Sequence, residues 1–149
     1  MRAIKRKPPA SPKCVDSTLA HAPEYIASVH AVTQVRNGYS IRTLKQLAAL
    51  LGVSQTQVTA ALGISPSDVA RRARDGRAMS LVASDRLYRA FKAIEFTTAT
   101  LGDAESATRW FRRDHPALGG ATPLSLMDTT AGYERVQDEL VRIANGVPA

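Results

Sequence analysis

Apolar positions recur every three or four residues through most of the chain, and helix-start and helix-stop residues bracket each run. Leu44, Leu47, Ala48 and Leu51 fall on one helical face, with Ser40 placed to cap the start and Gly52 to end it. Ser54 opens a second helix, and Gln57 three residues later completes a capping box. Val58, Ala61 and Leu62 are its apolar face and Gly63 its stop. Ser65 caps a third helix with Pro66 at its first position. Asp68 lies in its first turn, near the positive end of the helix dipole. Val69, Ala70 and Ala73 are expected to face inward, and Gly76 terminates.

The pattern continues on either side. A short helix is expected from Pro23 to Asn37-Gly38, with Ile26, Val29 and Thr33 inward, although its β-branched residues would also suit a strand. A longer helix is expected over roughly residues 82–100, with Leu87, Tyr88, Phe91, Ile94 and Thr98 or Leu101 as its stripe. Gly102-Asp103 breaks it and caps a helix carrying Ala104, Ala107, Trp110 and Phe111. His115-Pro116 and Gly119-Gly120 mark a loop. Thr122-Pro123 opens a short helix with Leu124 and Met127. The last helix starts near Thr130, uses Val136, Leu140 and Ile143, and has Gly146 just beyond its end. No segment sustains two-residue alternation and no repeat is visible, so the expected fold class is all-α.

A chain of 149 residues suits one domain, or two small ones sharing a core. Aromatic residues make up only 5%, so Ala, Leu and Val must do most of the packing. The longest apolar stretch, residues 47–51, is far short of the ~20 residues a membrane helix needs, and no membrane partner is expected. Basic residues near the start lead into Pro8, Pro9 and Pro12 rather than an apolar run, so residues 1–22 read as a flexible basic arm and not as an ordinary secretory signal. Cys14 stands alone and can form neither an internal disulfide nor a Cys-based metal site; a reducing cytoplasm is the expected compartment.

Net charge is +7, which makes polyanions the first partners to consider. The charge is unevenly spread: residues 1–64 carry +6, residues 65–95 carry +3 and residues 96–149 carry −2. The segment between Ser54 and Gly76 has the layout of a helix-turn-helix, in which the second helix can enter the DNA major groove. Ser65, Ser67, Asp68, Arg71, Arg72 and Arg74 are that helix's polar positions. The two serines stand where hydroxyl and backbone donors reach phosphates or base edges, and the arginines suit phosphates or guanine. Asp68 would repel phosphate, so a helix-start role is expected for it. A bundle with a solvated basic face would share this spacing; Arg71, Arg72, Arg74 and Arg77 with the overall charge favour DNA.

Enzyme chemistry has little to stand on. His21, His30 and His115 show no metal-ligand spacing with one another or with Cys14, and Gly119-Gly120 lacks the Lys-Ser/Thr of a phosphate loop. Trp110 at helical spacing from Ala107 reads as core. No catalytic residue, metal or cofactor is expected.

The C-terminal half carries a more specific signal. Ser84-Asp85-Arg86-Leu87-Tyr88-Arg89 is followed by Gly102-Asp103, Ala107 and Trp110, then by the run Pro116-Ala117-Leu118-Gly119-Gly120-Ala121-Thr122-Pro123-Leu124. The chain ends with Asp128-Thr129-Thr130-Ala131-Gly132, Val136, Leu140, Arg142-Ile143 and Gly146-Val147. In this order and spacing, residues 40–148 resemble the Xre/MbcA/ParS antitoxins, which neutralise RES-domain toxins. Two positions depart from that pattern: Ser67-Asp68-Val69 where many relatives have Thr-Leu, and Ser125 where an acidic residue often follows Thr-Pro.

The resemblance does not cover the arm over residues 1–22; beyond that arm it implies an Xre-like helix-turn-helix and dimerisation region over residues 23–78 and a small helical toxin-binding domain over residues 79–149. It implies a partner toxin that acts on NAD, obstructed at its NAD pocket, and repression of the chain's own operon as a homodimer on operator DNA. Gly119, Gly120, Arg135, Asp138, Glu139, Arg142, Gly146 and Val147 are the candidate toxin contacts, with the final-helix polar residues expected to be exposed. The competing reading is a stand-alone helix-turn-helix transcriptional regulator.

Overall fold

The computed structural model describes residues 30–147. Seven α-helices follow one another: α1 (Ala31–Asn37), α2 (Ile41–Leu51), α3 (Gln55–Ala61), α4 (Pro66–Arg74), α5 (Leu81–Leu101), α6 (Ala104–Arg112) and α7 (Thr130–Ala144). Two 3₁₀ turns, Pro116–Leu118 and Leu124–Asp128, lie between α6 and α7. Among the described residues the extended pairing is limited to one bridge, His115 to Ala121, so the all-α expectation holds.

Side-chain caps set most of the helix starts. Ser54 Oγ accepts from the Gln57 N–H at 3.1 Å while Gln57 Oε1 accepts from the Ser54 N–H at 2.8 Å, the expected capping box. Ser65 accepts from the Asp68 N–H, Asp103 from Ser106 and Thr129 from Gly132. The Ser106 N–H holds the Asp103 carboxyl below its ordinary range. Ser40 occupies the cap position of α2, but its hydroxyl faces Thr43 Oγ1 at 3.4 Å instead of a backbone N–H. Ser80 caps α5 through the Ala83 N–H.

One apolar cluster runs from Tyr39 to Leu140 and draws on every helix from α2 to α7. Leu44, Leu47 and Leu51 meet Val58, Leu62, Leu87, Ile94, Phe111, Val136 and Leu140 there. The axis of the arrangement is α5, which packs against α1, α2, α6, α7 and the 124–128 turn. With neighbours on several sides it buries more than one stripe: Ala83, Ser84, Ala90, Ala93 and Thr97 are buried along with Leu87, Phe91 and Ile94. Ser84 is tolerated inside because its Oγ accepts from the Tyr39 N–H at 2.9 Å.

Several inward-facing expectations are corrected. Thr33 is exposed, and α1 instead buries Ala31, with Val35 partly covered. Ile26, Val29 and the start at Pro23 lie outside the described residues. Ala70 and Ala73 are exposed; among the described residues no helix packs over that side of α4, which anchors itself through Val69. Thr97 takes the buried place on α5, while Thr98 is half-buried and donates to the Ile94 carbonyl. The Thr122-Pro123 start leads into a 3₁₀ turn and not an α-helix.

Candidate nucleic-acid and protein interfaces

The link between α3 and α4 is built from both sides. Leu62 and Ile64 are buried, and the Ile64 N–H reaches the Thr59 carbonyl at 2.8 Å. From α5, Arg86 Nη1 donates to the Leu62 and Gly63 carbonyls at 3.1 and 2.6 Å. A guanidinium at the end of α3 also suits the negative end of its dipole. Thus a residue of α5, distant in sequence from α3 and α4, ties down the turn from which α4 leaves.

With Val69 as its single buried residue, α4 offers its other faces to solvent. Ser65, Ser67, Arg71 and Arg74 are exposed there, and the two serine hydroxyls are 2.9 Å apart. Asp68 is ion-paired to both Arg71 and Arg72, and these bonds hold its carboxyl below the usual range. Arg72 bonds inward: its Nε is 2.8 Å from Asp68 and its Nη1 donates to the Ala78 carbonyl at 2.9 Å. The structure therefore gathers Ser65, Ser67, Asp68, Arg71 and Arg74 on one exposed surface and gives Arg72 a bracing position behind it.

The C-terminal candidates fall into two groups. Gly119 and Gly120 sit in a loop closed by the His115–Ala121 bridge, and both have positive φ. Arg135 of α7 reaches that loop, donating to the Ala117 carbonyl at 3.3 Å, so these three residues share a surface. His115 steadies the loop's base, with Nε2 2.8 Å from the Trp110 carbonyl and its ring 4.6 Å from the indole.

Arg142, Gly146 and Val147 cluster at the other end of α7, where the Val147 N–H reaches the Arg142 carbonyl at 3.0 Å. Asp138 is exposed. Glu139, expected to be exposed, is 4% exposed. It lies three residues after Val136 and beside Leu140, on the flank of the face that α7 packs inward. Its Oε2 accepts from Arg142 at 2.6 Å, while its Oε1 is buried with no partner. Among the described residues no three His, Cys, Asp or Glu side chains are grouped to hold a metal ion. No helix there is long and apolar enough to cross a membrane.

The two groups of surfaces are physically joined. Gly132, in the first turn of α7, lies against Leu126 of the 124–128 turn. That turn packs on α3, bringing Asp128 Cβ to 3.8 Å from the place a Cβ on Gly63 would occupy.

Comparison with known proteins matches both parts of the chain. The antitoxin Xre-like helix-turn-helix domain matches residues 30–92, and the antitoxin Xre/MbcA/ParS C-terminal toxin-binding domain matches residues 97–146. The chain is 31% identical over 127 residues to the Prs ADP-ribosylating antitoxin of a Sphingobium species, covering 79% of this chain and 80% of that protein. It is 25% identical over 131 residues to antitoxin Xre of Pseudomonas putida, covering 86% and 79%. Against antitoxin Xre of Yersinia enterocolitica it is 27% identical over 118 residues, covering 78% and 79%.

Proposed function

The chain belongs to the Xre/MbcA/ParS antitoxins, and on that premise we propose that it neutralises a RES-domain toxin by obstructing the toxin's NAD pocket and represses its own operon through DNA bound at α4. The observation that carries the reading is the division of charge along the matched domains. Residues 65–95 carry +3, and residues 96–149 carry −2. A pocket that holds the pyrophosphate of NAD is lined by cations, and an acidic domain is steered towards it. One relative is named for an ADP-ribosylating system, chemistry that draws on NAD.

In this reading the toxin meets the end of α7, with Val147 as apolar anchor and Arg142 and Asp138 as polar contacts. The loop at Gly119 and Gly120 flanks them. Operator DNA meets Ser65, Ser67, Arg71 and Arg74, with a homodimer placing two copies of α4 on two half-sites. The protein acts in the cytoplasm as a binding protein, without a cofactor. The stand-alone regulator has no use for a toxin-binding domain.

The test is co-expression with the neighbouring gene's product, followed by NAD consumption measured with purified toxin. Full-length antitoxin should suppress NAD loss, and a chain lacking residues 146–149 should suppress it less while binding operator DNA normally. Equal suppression by both chains moves the blockade away from the α7 end, and absence of a toxin complex leaves the stand-alone regulator.

A further inference from the structure

Cations on a DNA-binding surface differ in whether they are free to meet phosphate. In the helix-turn-helix region, Arg71 and Arg72 are paired with Asp68, and Arg86 is committed to the Leu62 and Gly63 carbonyls. The side chains of Arg42, Lys45, Arg74 and Arg77 make no hydrogen bond or ion pair with the described residues. Three of these four, Arg42, Lys45 and Arg77, line a single trough between α2 and the segment that follows α4. Among the described residues no carboxylate lines it. A second hollow, sharing Ile41, Lys45 and Ala73 with the first, extends it past Ala70 to Pro66 at the start of α4. A concave track thus runs beside α4, and its cations are gathered at the end lined by Arg42, Lys45 and Arg77.

We propose that this track seats the sugar-phosphate backbone of the operator duplex, with Arg42, Lys45 and Arg77 as its phosphate contacts, and that Arg72 is the residue that positions Arg77. The proposal rests on the reading of α4 as a DNA-binding helix and adds a second strip of contact to it. Residues that face phosphates fix a protein's register on DNA without reading sequence. Three cations from two separate stretches of chain, with no neutralising acid among them, suit a repeating anion.

The exposed methyls of Ala70 and Ala73 leave the hollow open beside them. The basic arm is a poor occupant, because residues 1–22 carry five Lys/Arg and one Asp/Glu. Arg72 grips the far wall twice: its carbonyl accepts from the Arg77 N–H at 2.9 Å, and its Nη1 donates to the Ala78 carbonyl. The Arg77 backbone is therefore held in place by a residue whose own charge faces Asp68.

The experiment measures affinity of the full-length chain for a duplex containing its own promoter and for an unrelated duplex, across a series of salt concentrations. Each lost phosphate contact lowers the slope of log affinity against log salt by about 0.9. The triple variant Arg42→Ala/Lys45→Ala/Arg77→Ala should lose between about two and three units of slope. It should weaken on both duplexes by the same factor and keep its preference between them.

Ser67→Ala, on α4 itself, should instead change the preference and leave the slope. Arg72→Ala should lower the slope in the native chain and have no further effect on it in an Arg77→Ala background. A second loss of slope there would make Arg72 a direct contact and overturn its positioning role. A native slope in the triple variant overturns the track while α4 binding stands, as does a triple variant that loses toxin affinity instead. Failure of the unaltered chain to bind any duplex overturns the underlying reading of α4.

Discussion

Arg86 holds the Gly63 carbonyl at 2.6 Å across 23 residues of sequence, and so ties the turn before α4 to the central helix of the fold. The same nitrogen takes the Leu62 carbonyl. Hydrogen bonds from a charged donor contribute ~1.5–3 kcal/mol each, and two that share one nitrogen contribute less than their sum. Arg86→Ala is expected to destabilise the chain by about 2 kcal/mol. It should also weaken promoter binding beyond the unfolded fraction, because α4 loses its fixed exit angle. Urea unfolding and DNA affinity of the same preparation check both.

At Gly132 the constraint is steric. A Cβ there would sit 2.0 Å from the Leu126 carbonyl oxygen and 2.9 Å from its carbon. The obstacle is backbone, which cannot swing aside as a side-chain tip can. Gly132→Ala must push α7 off the 124–128 turn and should cost at least the ~1–3 kcal/mol typical of overpacking. Toxin affinity should fall with it. A Tm equal to the native value would show that the turn yields.

Two ion pairs of similar spacing should differ in worth. Arg109 and Glu105 are 48% and 87% exposed, and Arg109→Ala should change stability by less than ~0.5 kcal/mol. Arg142 pairs with Glu139, whose side chain is 5% exposed. Arg142→Ala leaves a buried carboxylate with neither oxygen bonded, and should cost more than ~1 kcal/mol even after allowing for the exposure of Arg142. Adding Glu139→Gln should restore part of it. Equal losses in the two arginine variants would contradict this.

The pH dependence has two limbs of known sign. Asp68 is held below its ordinary 3.8 by its bonds to Arg72 and Arg71, so its contribution is present above 3.8 and is lost as pH falls through its lower folded value. Arg72→Ala should bring the Asp68 carboxyl back towards 3.8, read by carbon NMR. At the alkaline end, burial and the neighbouring Tyr88 push Tyr39 from 10.0 to about 12. Its contribution is present below 10.0 and disappears as pH rises through about 12. Ultraviolet titration should therefore show Tyr39 ionising as the fold opens, and Tyr39→Phe should flatten that limb.

The residues that stop and start helices were the most legible part of the chain. Ser54 with Gln57, Ser65 with Pro66, and Gly52 each act as their chemistry dictates. Burial was legible where a helix has one covered side, as on α2. On α5 it was not, because a helix surrounded by neighbours hides Ala83, Ala90 and Ala93 as thoroughly as Leu87. Ala70 and Ala73 misled for the opposite reason: small apolar residues tolerate water, and no partner helix covers them. The acidic Glu139 carries no mark of burial except its place beside Val136 and Leu140. The leucines identify α2 and say nothing of Arg42 and Lys45; only the folded chain sets these two around one trough with Arg77.

The core that links Tyr39 to Leu140 has no seam between the half that faces DNA and the half that faces the toxin. A chain built this way is expected to melt in one step, with coincident transitions from every probe. Neither half then has an unfolding free energy of its own, and binding at either surface draws on the same equilibrium. By mass action, a toxin at one hundred times its dissociation constant should stabilise the folded chain by about 2.7 kcal/mol. That gain should raise the midpoint at which the helix-turn-helix melts, although the toxin-binding domain is a separate stretch of the chain. Conversely, a destabilising substitution anywhere in the cluster should deplete the folded helix-turn-helix and the folded toxin-binding domain in equal proportion.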